Sequence, residues 1–255
     1  MKKTLLLVLL IALAGCAGQS GPQANYANNG GDSATRNRAR IHTDLGSGYF
    51  GQGRIAVALE EFSAAVQIDS GYAPAHNGLG LVYAALREDD KAESSFRRSL
   101  QLDPESSESH NNFGTFLCSR NRVDDSIKEF MAALKNPLYA TPESAWLNAG
   151  ICALKKGNDK DAEGYLKNAL QAQPDLIGVH YHLASLYFNR GEHELASQHM
   201  QQFMHSGNPT PESLWMGIRI ARVVNDRNAE ASYGMLLRNK FPNSEQAKAL
   251  RTDSE

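Results

Sequence analysis

The side chains of this 255-residue chain best suited to metal binding or nucleophilic chemistry are its eight histidines and its three cysteines, Cys16, Cys118 and Cys152. His42, His76 and His110 recur at intervals of 34 residues, and His180 falls two such steps and two residues further on. Regular spacing of histidines raises the question of a zinc site, which needs every donor atom about 2 Å from one ion. Equivalent positions of successive packed helical units lie about 8 to 10 Å apart, so the period that repeats these histidines also separates them. His193, His199 and His205 are spaced by six residues and point to different faces of a helix. No metal and no cofactor are expected.

Paired carboxylates are the other candidates for chemistry. Asp89-Asp90 and Asp124-Asp125 lie between stretches of helical pattern, where acidic residues cap the following helix and favour its positive end. The chain contains no G-x-S-x-G, no H-E-x-x-H and no Gly-rich strand-turn-helix loop. No catalytic residue is assigned, and an enzyme is not expected. A formal net charge of -2 supplies no cationic excess for a run of phosphates, so composition gives a nucleic-acid role no support.

Cys16 stands in a different setting. Lys2 and Lys3, an apolar stretch from Leu5 to Leu13, and the small residues Ala14 and Gly15 form the three parts of an export signal. The apolar stretch is about half the length a membrane-spanning helix requires. "LAGC" resembles the lipobox of bacterial lipoproteins, which implies cleavage after residue 15 and a lipid on Cys16; the alternative is an A-x-A site at Ala12-Leu13-Ala14. Several acyl chains anchor a protein firmly where one holds it reversibly. Ala17 follows the cysteine instead of an aspartate, and in such lipoproteins this implies sorting to the outer membrane, with the body facing the periplasm. From Gly18 to Arg40 there is no Leu, Ile, Val, Met or Phe, so residues 16–38 read as a flexible tether.

Beyond the tether the chain repeats itself. "IHTDLGSGYFGQGRIAVALEEFSAAVQID" and "AHNGLGLVYAALREDDKAESSFRRSLQLD" align with a spacing of 34 residues, which resembles the tetratricopeptide repeat (TPR). Position 8 is small in every repeat (Gly46, Gly80, Gly114, Gly150, Ala184, Gly217), and so is position 20 (Ala58, Ala92, Ser126, Ala162, Ala196, Ala229). Position 24 is large: Phe62, Phe96, Phe130, Leu166, Met200 and Tyr233. Two helices approach closely where neither presents a blocking side chain, and large residues fill the space beside the crossing. Pro104 and Pro174 stop the second helix at position 32. The expected fold is all-α: six TPR hairpins stacked in a right-handed superhelix, at 39–72, 73–106, 107–140, 143–176, 177–210 and 210–243, then a tail at 244–255.

In this repeat family positions 2, 5, 9, 12 and 13 of the first helix face a concave groove. The partner-groove candidates are Phe50, Asn77, Leu81, Asn111, Asn112, Leu147, Asn148, Ile151, Tyr181 and Phe188. This surface is apolar with amide patches, suited to an extended or helical peptide with apolar anchors. It lacks the Lys/Arg cluster with which some relatives clamp a terminal carboxylate. Asn112 and Asn148 are expected either to pair with a partner's backbone or to bond within the chain.

Cys118 and Cys152 fall on the first helices of repeats three and four, where Thr141 and Pro142 are inserted between the repeats. Export to an oxidising compartment and facing backbones about 4 to 6 Å apart favour a disulfide between them.

The C-terminal "GIR-A" and "FPNSE" segments, following a lipobox and six repeats, resemble the type IV pilus biogenesis and stability lipoproteins, the PilF/PilW pilotin family. The resemblance implies an outer-membrane lipoprotein that brings along or stabilises the secretin subunits of the pilus export ring. Two other readings stay open: a TPR scaffold of the β-barrel assembly machine, and a periplasmic adaptor of a peptidoglycan enzyme.

Overall fold

The computed structural model describes residues 26–252, and Cys16 lies outside them. Among the described residues there are thirteen helices. The first hairpin is α1 (Tyr26–Gly51) with α2 (Ile55–Ile68), and the second is α3 (Ala73–Ala85) with α4 (Asp89–Leu102). The third is α5 (Ser107–Ser119) with α6 (Val123–Ala133), and the fourth α7 (Pro142–Lys155) with α8 (Asp159–Ala172). The fifth is α9 (Ile177–Asn189) with α10 (His193–Ser206), the sixth α11 (Pro211–Val223) with α12 (Arg227–Lys240), and α13 (Glu245–Thr252) follows.

Each hairpin turns on one residue in the left-handed region: Gly53, Arg87, Asn121, Gly157, Gly191 and Asn225. The first five occupy position 15 of repeats one to five, and all six follow their first helix with the backbone conformation a tight reversal needs. Ser106, Asn158, Thr210 and Asp226 cap the helices that follow them by accepting a backbone N–H. The acidic pairs are not caps. Asp89 and Asp124 lie in the first turns of α4 and α6, where they pair with Arg120 at 2.6 Å and Lys156 at 2.5 Å of the next repeat. They therefore serve the joints between repeats.

The core follows the small-to-large pattern. A Cβ at Gly80 would lie 2.6 Å from the Phe96 ring, and one at Gly114 would lie 2.7 Å from Phe130, so only glycine admits these crossings. Phe62, Phe96 and Phe130 are fully buried beside them, each worth about 2 to 3 kcal/mol of transfer free energy. The sixth hairpin departs from its aligned register by one residue. Its cap at Thr210 and its turn at Asn225 place position 1 at residue 211, which puts the fully buried Ile218 at position 8 and the buried Gly234 at position 24. The close contact itself stays with Gly217, where a Cβ would lie 2.9 Å from the Tyr233 ring, as in the other hairpins.

Both expected ends differ from the structure. α1 begins at Tyr26, inside the span read as tether, because extending an existing helix avoids the cost of nucleation. Arg36 of this extension bonds Asp69 at 3.0 Å and lies 5.7 Å from the centre of the Tyr72 ring, while Ala39 is fully buried. At the other end, residues 245–252 of the supposed tail form α13, which lays Ala247 and Leu250 over Leu214, Ile218 and Leu237. The last hairpin has no successor to cover its apolar face, and α13 covers it.

Candidate binding groove

The first helices of the hairpins, α1, α3, α5, α7, α9 and α11, line the concave side of the superhelix. Asn77 is buried, whereas Phe50, Leu81, Asn111, Asn112, Leu147, Asn148, Ile151, Tyr181 and Phe188 are half-buried. Phe50 and Leu81 rest against the cores of the first and second hairpins respectively. The other residues form two distinct stretches.

The first stretch is an amide ladder. Asn112 donates from Nδ2 to Asn77 Oδ1 at 3.3 Å, and Asn148 donates from Nδ2 to Asn111 Oδ1 at 3.1 Å and to Thr115 Oγ1 at 3.3 Å. Position 6 of one repeat thus reaches position 5 of the repeat before it. Part of each amide's bonding capacity is spent on the neighbouring repeat, and the half-buried Asn111, Asn112 and Asn148 keep the rest within reach of the groove, whereas Asn77 is buried.

The second stretch is apolar. Leu147, Leu154, Tyr181 and Phe188 are partly buried against one core cluster spanning the fourth and fifth repeats, and Tyr181 sits 5.5 Å from Phe203. Between the two stretches lies the disulfide. Cys118 and Cys152 are bonded, with Cα atoms 5.8 Å apart, and the Cys152 sulfur is 2.9 Å from Ser126 Oγ. The bridge ties α5 to α7 across the inserted Thr141 and Pro142.

The one-residue shift in the sixth repeat changes which residues reach the groove. Positions 5, 9 and 12 there are Trp215, Arg219 and Arg222. The Arg219 guanidinium lies 4.9 Å from the centre of the Phe188 ring. Arg222 lies 6.0 Å from the Trp215 ring and bonds Glu230 at 2.6 Å. The sequence pattern places these residues off the groove because Gly217 does pack on Tyr233 as position 8 packs on position 24 elsewhere, while the cap at Thr210 and the turn at Asn225 run one residue later.

Three of the four repeated histidines form rungs inside their hairpins, from position 4 to position 23, whereas His76 bonds the Ser70 carbonyl at 3.0 Å. His42 Nδ1 lies 2.7 Å from Glu61, His110 Nδ1 lies 2.6 Å from Glu129, and His180 Nδ1 lies 2.8 Å from His199 Nδ1. In the fourth repeat Trp146 stacks on Tyr165 at 5.9 Å. Burial works to lower the pKa of His110, but the bonds to Glu129 and the Pro104 carbonyl outweigh it and leave it raised. Burial lowers both His180 and His199, and each lacks a carboxylate partner among the described residues. Among those residues, no three His, Cys, Asp or Glu side chains gather as a metal site would require.

At the joint of repeats four and five, Glu163 accepts from Lys167 at 2.6 Å, Tyr187 at 2.9 Å and Arg190 at 2.5 Å. Led by Lys167, these donors hold its carboxyl at about 2, below the ordinary 4.5.

Comparison with known proteins agrees with this architecture. A tetratricopeptide-repeat family model matches residues 43–107 and 117–177. The type IV pilus assembly protein PilF of Pseudomonas aeruginosa is 28% identical over 244 residues, covering 96% of this chain and 95% of that protein. The crystal structure of PilW, a widely conserved type IV pilus biogenesis factor, is 32% identical with a TM-score of 0.76, over 83% of this chain and 97% of PilW. The structure of Pseudomonas aeruginosa PilF superimposes with a TM-score of 0.78 at 27% identity, over 88% of this chain and 99% of PilF. With its stack of helical hairpins and likeness along nearly the whole of both relatives, this chain belongs to the PilF/PilW family of tetratricopeptide-repeat type IV pilus biogenesis proteins.

Proposed function

We propose that this protein is a pilotin: a lipoprotein anchored through Cys16 to the outer membrane, which holds a segment of the pilus secretin in its groove until the export ring assembles. The observation that carries the reading is a groove of amide and apolar character in a member of a type IV pilus biogenesis family. An unassembled secretin subunit exposes strand edges and apolar surface, both hazards for aggregation. A groove tethered at the right membrane keeps such a segment at high local concentration where the ring must form. The role is binding and escort, without catalysis.

The test is a deletion strain complemented with wild-type protein or with Cys16→Ser. Deletion is expected to remove SDS-resistant secretin rings, and Cys16→Ser to leave subunits in the wrong membrane. Normal rings in the outer membrane of the deletion strain would rule the reading out. Cell death with loss of outer-membrane barrels would instead point to the β-barrel assembly machine.

A further inference from the structure

The apolar half of the groove ends on cations. From α7 to α11 its walls are Leu147, Ile151, Leu154, Tyr181 and Phe188, and beyond Phe188 stands Arg219. Arg219 is exposed, is position 9 of a groove-facing helix once the sixth repeat is read in its structural register, and has no ion-pair partner among the described residues. Lys155, at position 13 of the fourth repeat, is likewise exposed and unpaired among them. Arg222, close by at position 12, is paired with Glu230. The groove carboxylate of this repeat, Glu212, lies at position 2, near the opposite end of α11, where Gln246 donates to it at 3.2 Å.

We propose, resting on the groove reading above, that the segment held by α7, α9 and α11 carries apolar side chains followed by an acidic side chain, and that Arg219 reads that carboxylate. An exposed arginine normally gives up much rotamer freedom when it binds. Here the guanidinium rests over the Phe188 ring, 4.9 Å from its centre, which restricts it while leaving N–H groups able to meet both oxygens of a carboxylate. Such charge-assisted pairs are the strong class of hydrogen bond, and preorganisation lowers the cost of forming one. The apolar wall beside Arg219 also keeps competing water from part of the site, and no neighbouring carboxylate competes for it. A basic segment would meet Lys155 and Arg219 as like charges and be rejected.

The test does not presuppose the secretin. A random peptide-display library is selected on the full-length soluble protein starting at residue 17, with wild-type Arg219, Arg219→Gln and Arg219→Glu in parallel. Arg219 is exposed, so each variant should fold, and circular dichroism checks this. Wild type is expected to select sequences with two or more apolar residues and an Asp or Glu at a fixed distance from them. Arg219→Glu should replace that acid with Lys or Arg. In calorimetry, changing the selected acid to its amide, or Arg219 to Gln, should each weaken binding about tenfold, and the two changes together should add little. Amidating the peptide's C-terminus should change nothing, since an internal side chain is read. No acidic enrichment, the same enrichment with Arg219→Glu, no selected binder at all, or loss of binding on C-terminal amidation overturns the inference. A clear apolar-acidic consensus that the secretin lacks would leave Arg219 in its role and remove the secretin as the partner.

Discussion

Asn148 of the fourth repeat donates its side-chain amide to Asn111 of the third, 3.1 Å away, so a residue of the groove is at the same time a fastener between repeats. Asn148→Ala is expected to cost about 1 kcal/mol of stability through this bond. Asn148→Asp leaves an acceptor facing an acceptor and should cost more. Urea unfolding of both variants checks this, and an Asn148→Ala midpoint equal to wild type would mean that the ladder contributes nothing to the joint.

The Cys118–Cys152 bond closes a loop with a sequence separation of 34. In the chain-entropy account a loop of that length is worth about 3 to 4 kcal/mol. Cys118→Ser, or dithiothreitol added to wild type, should therefore lower stability by a comparable amount, with the loss appearing first at the α5–α7 joint in hydrogen exchange. Identical melting with and without reductant would sink this expectation.

The His180–His199 rung should respond to acid in the opposite sense to His110–Glu129. Burial depresses both pKa values in the fifth repeat, so the stability these rings contribute is full above the unfolded value of about 6.5 and is lost as pH falls below it. His110 is raised, so its contribution is full below the unfolded value and is lost as pH rises through the higher folded one. Two imidazolium rings cannot share the 2.8 Å contact, because each would present an N–H to the other. Among the described residues, the other charge bearing on His199 is Lys167, from α8, which opposes protonation as well. Hydrogen exchange at pH 7.5 and 5.5, corrected for intrinsic rates, should show α9 and α10 losing protection relative to α5 and α6. His199→Glu installs the partner found in repeats one and three and should abolish the loss. Equal loss in that variant would place the effect elsewhere, such as on the half-buried His182, whose pKa desolvation also lowers.

Glu163 gathers Lys167, Tyr187 and Arg190 at the joint of repeats four and five. Its pKa is depressed from 4.5 to about 2, so its contribution is present above about 4.5 and disappears as pH falls through 2. Glu163→Gln should cost about 1 to 2 kcal/mol at pH 7, a figure reduced for the exposure of Lys167. The difference from wild type should shrink below pH 3. A difference that persists at pH 2 would show that packing, and not charge, is responsible.

What the sequence by itself determined was everything that depends on the 34-residue period. Small residues at 8 and 20 facing a large one at 24 can be satisfied only by a close helix crossing, so hairpin number, pairing and stacking order were legible from Gly46–Phe62 to Ala184–Met200. The proximity of Cys118 to Cys152 follows from the same spacing. What only the tertiary structure decided lies where the period stops or falters. Gly217 packs on Tyr233 as the pattern predicts, yet the cap at Thr210 and the turn at Asn225 set α11 one residue later than that pair implies. Arg219 became a groove residue through that one-residue slip. The extension of α1 and the capping by α13 were hidden for a related reason: an end segment gains its stability from contacts with a single neighbour, such as Arg36 with Asp69 or Leu250 with Leu237, and such contacts leave no repeat to align. The choice of Asn112 and Asn148 between partner and neighbour was also beyond the sequence, since an amide's bonds are set by what stands about 3 Å away.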